Sequence, residues 1–395
     1  MEPPAVLVPS SFHDAAEGPL KRPNVALYGG FRLRRAPLVV LVLRRNTLLP
    51  ESRRKASIGV FITARWYLVQ NCPYAWQMTD LKTAPRFVGI PTFMRTPYQP
   101  DPADPAGLDI ALAGVPYDGG VTNRPGARHG PREIRNSSSL CRSIHHVSRI
   151  NPYELCTVAD VGDVPFEAIM QPDLAVGEIE AFYRKIVNAG AAPLSAGGDH
   201  SITYPIFRAL AAQDRPIGMI HIDAHTDTWD AFQGNKFNHG APFRHAVNDG
   251  LLDPKRTVQI GIRGAQNFAD GWDFSNENGM RVIFMEEFTA LGVDAVIAEA
   301  RRVVGDGPTY ISFDVDGLDP VYAPGTGTPE IGGITTLEAQ ALLGGLRGLN
   351  LIGGDVVEVS PPFDQTGNTA LVGATLMFEI LCLLAEAVAS RKAAA

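Results

Sequence analysis

The chain has 395 residues, of which 45% are hydrophobic and 19% are charged, a balance typical of globular proteins. This composition excludes wholesale disorder, a collagen and a coiled-coil rod. A formal net charge of −7 argues against a nucleic-acid-binding protein. The four cysteines form no CxxC pair, so neither a disulfide framework nor a thiolate zinc site is predicted, and a reducing cytoplasm is the expected location.

Residues 1–78 differ from the rest of the chain in charge, with eleven basic and four acidic side chains. Their longest purely apolar run, 38–43, is far shorter than the about 20 residues needed to cross a bilayer, so no membrane association is predicted. Three interpretations stay open: a basic targeting segment, an arm that packs on a neighbouring subunit, or an upstream extension of a protein that begins at Met78. We favour a poorly ordered arm or an extension.

From about residue 108 onward, short β-rich runs alternate with amphipathic helical stretches. The predicted strands are 109–115, 155–161, 193–196, 217–222, 257–262, 281–285, 309–313 and 351–359. The predicted helices include 173–189, 293–304 and 335–346, the last opened by a capping box of Thr335 and Glu338. This alternation predicts an α/β protein with a mostly parallel sheet covered by helices on both faces, either doubly wound or closed into a barrel.

Several polar segments follow the apolar strands, where ligands of parallel sheets bind. They are Gly197–His200, His221–Asp227, Asn238–Gly240 and Asp314–Pro320. If the chain stays extended after residue 222, then Asp223, His225 and Asp227 share one side. So many carboxylates in one place would repel one another without a cation. The sequence therefore predicts a pair of divalent metal ions, with Mn²⁺ the best match to these ligands and Zn²⁺, Ni²⁺ or Co²⁺ possible.

These blocks, together with Arg124–Arg132, Gly325–Pro329 and Glu358–Pro361, resemble the arginase/agmatinase family (ureohydrolases). The resemblance covers about residues 85–390 and implies a three-layer α/β/α fold with a mostly parallel central sheet. It also implies a single ureohydrolase catalytic domain over 79–395, two bound metal ions and a homotrimer or homohexamer.

Carried over residue by residue, the resemblance assigns one metal ion to His200, Asp223, Asp227 and Asp314. The second metal ion is assigned to His225, Asp223, Asp314 and Asp316, with Asp223 and Asp314 bridging. His239 is the implied proton shuttle and Glu358 the implied partner of the guanidinium, and Asp227 joins them as a catalytic residue. Asp199 and His221 are expected to support these groups, and Arg128 and Arg132 to anchor their loop.

The implied reaction is hydrolysis of a guanidino compound to urea and an amine. Two metal ions lower the pKa of a shared water, and the hydroxide attacks the guanidinium carbon. His239 then protonates the leaving amine, and Glu358 orients the guanidinium through charge-assisted hydrogen bonds.

The substrate is predicted from the loops around the blocks. The run 226–230 does not look like the pattern with which arginases hold an α-amino acid, whereas 122–153, 329–333 and 359–364 look most like bacterial guanidinopropionases and guanidinobutyrases. An ω-guanidino acid such as 3-guanidinopropionate is therefore expected, with Asn123, Arg124, His129 and Arg149 available for its carboxylate. Agmatine, which Trp229 and Asp230 could hold, and free guanidine, for which nickel becomes more plausible, stay open.

Two alternatives belong to other classes: a non-catalytic binding protein on the same fold, and a metal-dependent deacetylase on a related fold. A degenerate homologue usually loses a ligand or the proton shuttle, and here all six ligand positions, His239 and Glu358 are present. A deacetylase would have no need for Glu358.

Overall fold

The computed structural model describes residues 85–100, 107–211 and 216–394, so the predicted basic segment 1–78 lies outside the described residues. The strands are β1 Ile110–Gly114, β2 Val158–Asp163, β3 Ala192–Ala196, β4 Ile217–Ile222, β5 Leu252–Ile262, β6 Arg281–Phe284, β7 Thr309–Asp314 and β8 Leu351–Val357. The helices are α1 Gly130–Ser138, α2 Pro152–Leu155, α3 Pro172–Asn188, α4 Thr203–Leu210, α5 Pro242–Asn248, α6 Asp273–Asn278, α7 Met285–Leu291, α8 Val293–Val304, α9 Thr336–Gly345 and α10 Asn368–Ala394.

The strands form one sheet in the order β2-β1-β3-β8-β7-β4-β5-β6, and every pairing is parallel. Strands β2 and β6 lie at opposite edges, so the sheet is open and is not the barrel that the strand count also allowed. In the middle of the sheet, β8 pairs with β3 and β7 pairs with β4, so strands that are not consecutive in the chain lie side by side. Strands β3, β8, β7 and β4 therefore bring four separate loops to one edge.

Helices cover both faces of this sheet, as a three-layer α/β/α fold requires. Successive side chains of a strand point to opposite faces. Ile110 and Leu112 of β1 belong to the core that packs against α1 and α7–α10, and Ala111 and Ala113 belong to the core beneath α3–α5. The predicted parallel sheet with helices on both faces is confirmed.

Most element bounds agree with the sequence prediction, and the differences have local causes. The predicted capping box is present, since Thr335 accepts from the Glu338 backbone N–H and the Glu338 carboxylate accepts from that of Thr335. Strand β2 begins at Val158 rather than at 155 because Asn151 caps the short helix α2, which occupies the predicted first residue of the strand. Strand β8 ends at Val357 because Glu358 has a left-handed backbone, with φ of 65°.

Helix α10 is the longest element among the described residues. Its length and composition alone would allow it to cross a membrane, yet 78% of its most apolar stretch is buried inside the protein. Its residues pack against β8, β3 and α1. A buried apolar helix of this kind is the normal centre of a helical layer. Cys382 belongs to this helix, and the thiols of Cys141 and Cys156 contact its backbone carbonyl oxygens at Ala374 and Ala385. All three cysteines are free thiols.

A buried ion pair fastens the segment 93–99 to the edge of the sheet. Arg135 of α1 donates to both carboxylate oxygens of Asp160 at 2.8 and 3.0 Å, and its guanidinium lies 4.1 Å from the ring centre of Phe93. The same carboxylate accepts from the Phe93 backbone N–H at 2.9 Å. Asp160 therefore connects strand β2, helix α1 and the segment 93–99.

Replacing Asp160 with alanine should lower the free energy of unfolding by about 3–5 kcal/mol, because the buried Arg135 then loses its main partner. Asp163→Ala is the matched control. Asp163 also accepts from Arg135, but it is 43% exposed, and we expect a loss of less than about 1 kcal/mol. Urea unfolding followed by circular dichroism measures both values. Equal losses for the two variants would contradict this account of the ion pair.

Candidate metal centre

The candidate site lies at the carboxyl ends of the four central strands. His200 follows β3, the segment 223–227 follows β4, Asp316 follows Asp314 at the end of β7, and Glu358 follows β8. Because all four strands are parallel and adjacent, their following loops meet at one edge of the sheet. This placement, and not any closeness in sequence, assembles the site.

The first group of ligand atoms surrounds the Nδ1 atom of His200. This atom lies 2.9 Å from an oxygen of Asp227, 3.1 Å from Asp223 and 3.3 Å from Asp314. His200 and Asp223 have no solvent-accessible side-chain surface, and the other two are almost fully buried. The four residues predicted to hold one metal ion are thus brought together.

The second group surrounds the Nδ1 atom of His225, which lies 3.2 Å from Asp316 and 3.4 Å from Asp223. Asp223 directs Oδ2 toward His200 and Oδ1 toward His225, so its carboxylate lies between the two groups. Asp314 contacts the first group directly, and its second oxygen accepts from the Asp316 backbone N–H at 2.8 Å. Asp223 therefore lies where a carboxylate shared by two metal ions would lie, and its role as a bridging ligand stays a prediction.

The predicted extended conformation after residue 222 is wrong. Strand β4 ends at Ile222, and the segment 223–227 is not an extended strand. Asp227 has a left-handed φ of 51°, a conformation uncommon for residues other than glycine. A tight loop rather than strand alternation brings Asp223 and Asp227 to the same imidazole.

The chemistry of these residues fits divalent cations. The Nδ1 atom of His200 is buried, has no hydrogen-bond partner among the residues that the structure describes, and faces three carboxylate oxygens. Burial and the charges of Asp316 and Asp223 raise the pKa of Asp314 well above its usual range, and burial and Asp223 raise the pKa of Asp316 to about 6. Bound cations would remove the repulsion between carboxylates that adds to the effect of burial.

His221 contacts the shared carboxylate of Asp223, consistent with the supporting position expected for it. The side-chain amide nitrogen of Gln259 donates to the carbonyl oxygen of Thr226 at 2.6 Å and to His221 Nδ1 at 3.1 Å. The proton of His221 is therefore on Nε2, which donates to Asp223 Oδ2 at 2.8 Å. His221 lies close enough to the first group to be a ligand, but this hydrogen-bond pattern makes it an orienting donor.

Asp199 holds the loop that closes the site. Its carboxylate accepts from the backbone N–H groups of Gly120 at 2.7 Å and Ser201 at 3.0 Å and from the Ser201 hydroxyl. Burial and the charge of Glu358 raise the pKa of Asp199 to about 7. The predicted supporting role of Asp199 agrees with these contacts. Arg128 likewise anchors its loop, through an ion pair with the buried Asp118.

The two predicted catalytic groups outside the ligand set contact each other. His239 Nδ1 lies 2.9 Å from Glu358 Oε1, and His239 Nε2 lies 2.7 Å from the Thr122 hydroxyl. Burial lowers the pKa of His239, and the charges of Glu358, Asp227 and Asp199 raise it to about 9. The imidazole can therefore carry a proton beside the ligand cluster.

Glu358 presents one carboxylate oxygen that no described residue satisfies. Its Oε1 accepts from the His200 backbone N–H at 2.9 Å and from His239, whereas its Oε2 is buried without a hydrogen-bond partner. An unpaired buried carboxylate oxygen is costly. The left-handed backbone of Glu358 adds strain at the same place. Both features indicate a site for a cationic or donor group.

A cavity of about 50 Å³ lies over the cluster. It is lined by Thr122, His225, Asp227, Trp229, His239, Gly240, Asp314, Asp316 and Thr328. Thr328 lies in a sequence block that carried the family resemblance, and Thr122 lies two residues before another such block, but nothing in their residue type pointed to a role. Thr328 donates to Asp316 at 3.3 Å, a contact that only the folded loops create.

The residues predicted to bind the substrate carboxylate lie outside the lining of the cavity, whereas Trp229 is part of it. Arg124 stacks its guanidinium 4.2 Å from the ring centre of Phe363 and donates to the Pro324 carbonyl oxygen at 3.4 Å. Asn123 and His129 are exposed. None of these three lines the cavity, whereas Trp229 does. Their contacts with substrate stay predictions.

Comparison with known proteins places the chain among characterised sequences. The profile of the Arginase family matches residues 108–383. A guanidinopropionase from Pseudomonas aeruginosa is 63% identical over 314 residues, which cover 79% of this chain and 97% of that protein. A mitochondrial agmatinase from Gallus gallus is 48% identical over 299 residues, covering 76% of this chain and 87% of that protein. The solved structure of proclavaminate amidino hydrolase from Streptomyces clavuligerus matches with a TM-score of 0.73 and 40% identity, covering 77% of this chain and all of that one.

Proposed function

Because this chain belongs to the arginase family, we propose that it hydrolyses an ω-guanidino acid, first of all 3-guanidinopropionate, to urea and an amine. The observation that carries the proposal is the unpaired Oε2 of Glu358 beside the cluster of His200, Asp223 and their neighbours. A planar guanidinium offers several N–H donors. It would satisfy this oxygen and place its carbon at the ligand cluster.

We propose two divalent cations, most plausibly Mn²⁺, as the cofactor. His200, Asp223, Asp227 and Asp314 would hold one, and His225, Asp223, Asp314 and Asp316 the other. When bound, such a pair supplies hydroxide near neutral pH by lowering the pKa of water. Ni²⁺ is the alternative, because imidazole and carboxylate ligands accept either ion.

The protein's own groups supply orientation and proton transfer. Glu358 Oε1 is already occupied by two N–H donors, so only Oε2 is free to receive the substrate and the guanidinium can bind in few orientations. His239 Nε2 lies 2.7 Å from the Thr122 hydroxyl and accepts from the Thr122 backbone N–H at 3.2 Å. A proton carried on Nε2 would require this longer backbone contact to open, with the hydroxyl then accepting from the imidazole. Release of that proton to the departing nitrogen completes the cleavage of the C–N bond.

The choice of an ω-guanidino acid is supported by the similarity to a protein named guanidinopropionase and by polar donors on the loop 122–129. Agmatine is the second candidate. Its distal ammonium would favour an aromatic or acidic partner, and Trp229 lines the cavity while Asp230 is exposed beside it. The similarity to a protein named agmatinase keeps this candidate open. Free guanidine, with Ni²⁺, is the third.

Urea release from a substrate panel tests the proposal. The full chain, loaded separately with Mn²⁺ and with Ni²⁺, is assayed with 3-guanidinopropionate, 4-guanidinobutyrate, agmatine, arginine and guanidine. We expect kcat/KM for 3-guanidinopropionate to exceed that for agmatine by at least about tenfold, which corresponds to about 1.4 kcal/mol of differential transition-state binding. A preference for agmatine or guanidine would overturn the substrate. No urea from any compound, with both metals bound, would overturn the reaction and favour a binding protein.

We also propose a homotrimer or homohexamer in the cytoplasm. Val321, Ile331 and Leu337 are 81%, 86% and 77% exposed, and apolar side chains this open on neighbouring segments favour a contact between copies. Light scattering coupled to size-exclusion chromatography measures the assembly. A monomer at micromolar concentration would contradict it.

A further inference from the structure

A buried polar chain runs from the metal ligand His200 to Asp355, a residue of β8 to which the sequence motifs assign nothing. His200 Nε2 lies 2.8 Å from the Ser312 hydroxyl, and that hydroxyl donates to Asp355 Oδ1 at 2.7 Å. All three residues have no solvent-accessible surface. Bulk water therefore does not reach any link of this chain.

The direction of each hydrogen bond follows from the acceptors. Asp355 Oδ2 accepts from the Thr203 hydroxyl at 2.8 Å and the Tyr310 hydroxyl at 3.0 Å. An ionised carboxylate only accepts, so the single proton of Ser312 is directed to Asp355 Oδ1. The Ser312 oxygen can then only accept from His200, whose proton is held on Nε2. The opposite ring nitrogen, Nδ1, is left with a free lone pair.

That free lone pair faces the ligand cluster. Nδ1 of His200 is the atom surrounded by Asp223, Asp227 and Asp314, at 2.9–3.3 Å. A neutral imidazole binds a metal ion only through its unprotonated nitrogen. If the proton moved to Nδ1, it would occupy the position of the cation.

The sheet register makes this arrangement rigid. Asp355 is directly paired with Ser312 on β7 and with Ser195 on β3. Neighbouring parallel strands thus hold the carboxylate and the hydroxyl in place before any cation arrives. Burial raises the pKa of Asp355, and the imidazole of His200 and the three hydroxyl donors oppose this increase.

We propose that Asp355 is a positioning residue of the metal centre, which acts through Ser312 to keep the His200 proton on Nε2 and so strengthens cation binding. The inference rests on the proposed function only in that the site takes divalent cations. It does not depend on which guanidino compound is the substrate.

Titration of the metal-free full chain with Mn²⁺ tests the proposal. The variants are Ser312→Ala, Asp355→Asn and the double variant, and we expect each single change to weaken the Mn²⁺ affinity about 10–100-fold. In Asp355→Asn the amide can donate to Ser312, which then donates to His200 Nε2 and shifts the imidazole proton to Nδ1. Because the two residues act in series, the loss of Mn²⁺ affinity in the double variant should not exceed the loss in whichever single variant binds Mn²⁺ more weakly.

Tyr310→Phe is the matched control. Tyr310 lies on the same strand as Ser312 and donates to the other oxygen of Asp355, so its loss leaves the link to His200 intact. We expect less than about a threefold change in Mn²⁺ affinity, well below the effect of a lost supporting hydrogen bond. A change as large as that of Ser312→Ala would show a general packing effect and overturn the proposal.

Histidine ¹⁵N NMR of the Zn²⁺-loaded protein gives a readout besides affinity. The resonance assigned to His200 by its absence in His200→Asn should show a protonated Nε2 in the wild type, with solvent exchange of that proton much faster in Ser312→Ala.

If Asp355→Asn does not fold, Ser312→Thr, which keeps the hydroxyl, should retain near wild-type affinity where Ser312→Ala does not. Unchanged affinities, or additive losses in the double variant, would overturn the proposal. Wild-type protein that binds Mn²⁺ but releases no urea would overturn only the proposed function.

Discussion

Asp223→Asn should abolish the paired metal site and lower kcat/KM by about 10³-fold or more, because a bound cation supplies several kcal/mol of charge stabilisation and each factor of ten corresponds to about 1.4 kcal/mol. Asp223 is the residue between the two groups, with Oδ2 near His200 and Oδ1 near His225. Both oxygens already accept N–H donors, from His221 and from the His225 backbone. The amide would place its own N–H groups against one of these donors and would remove a negative charge.

Metal analysis of the purified variant, alongside urea release, checks this prediction. We expect fewer than two equivalents of Mn²⁺ per chain in Asp223→Asn and no change in Asp270→Asn, since Asp270 is exposed and outside the site. Circular dichroism separates loss of metal from loss of fold. A variant that retains two equivalents and full activity would show that the cluster is not the metal centre.

Glu358→Gln should lower kcat/KM by about 10²–10³-fold, comparable with the loss of one preorganised group that stabilises transition-state charge, while the metal content stays unchanged. The two donors on Oε1, from the His200 backbone and His239, fix which end of the side chain remains an oxygen. The amide nitrogen of the variant must then occupy the position of the unpaired Oε2. It would point N–H groups at the N–H groups of a guanidinium.

Steady-state kinetics with 3-guanidinopropionate and parallel metal analysis measure this effect. The control is Glu154→Gln, at an exposed position of α2, for which we expect wild-type kinetics. Glu358 also orients His239, so the pH dependence of kcat/KM should change in Glu358→Gln as well. Retention of at least a third of wild-type kcat/KM would mean that Glu358 does not receive the substrate.

Much of the fold could be predicted from the sequence because the strands carry a local signal. Apolar runs such as Ile217–Ile222 are buried on both faces of a parallel sheet and so are continuous rather than alternating. The helix Val293–Val304 and the capping box at Thr335 depend on residues at most a few positions apart. The strand order could not be read in this way, because β3 pairs with β8 across more than 150 residues of chain.

For the candidate site, too, the residue types could be predicted from the sequence, whereas their geometry could not. The segments Gly197–His200, His221–Asp227 and Asp314–Pro320 stand out in the sequence because carboxylates and imidazoles follow apolar strands. The structure brings the six predicted ligands in these segments together. The local geometry was not predictable. Asp227 reaches His200 through a left-handed backbone, whereas the sequence suggested an extended strand.

By itself, then, the sequence determined the parallel α/β architecture and pointed to the candidate ligand set and to the pair His239 and Glu358, since each depends on residue type and on position after a strand. Only the tertiary structure decided which ring nitrogen each histidine presents, which oxygen of Glu358 stays unpaired, and that Asp355 lies two hydrogen bonds from the candidate ligand His200. The physical reason is that hydrogen-bond direction and burial depend on atoms supplied by strands far apart in the chain. A buried donor or acceptor cannot hydrogen-bond to bulk water, so its partners on neighbouring strands determine its protonation and its hydrogen bonds.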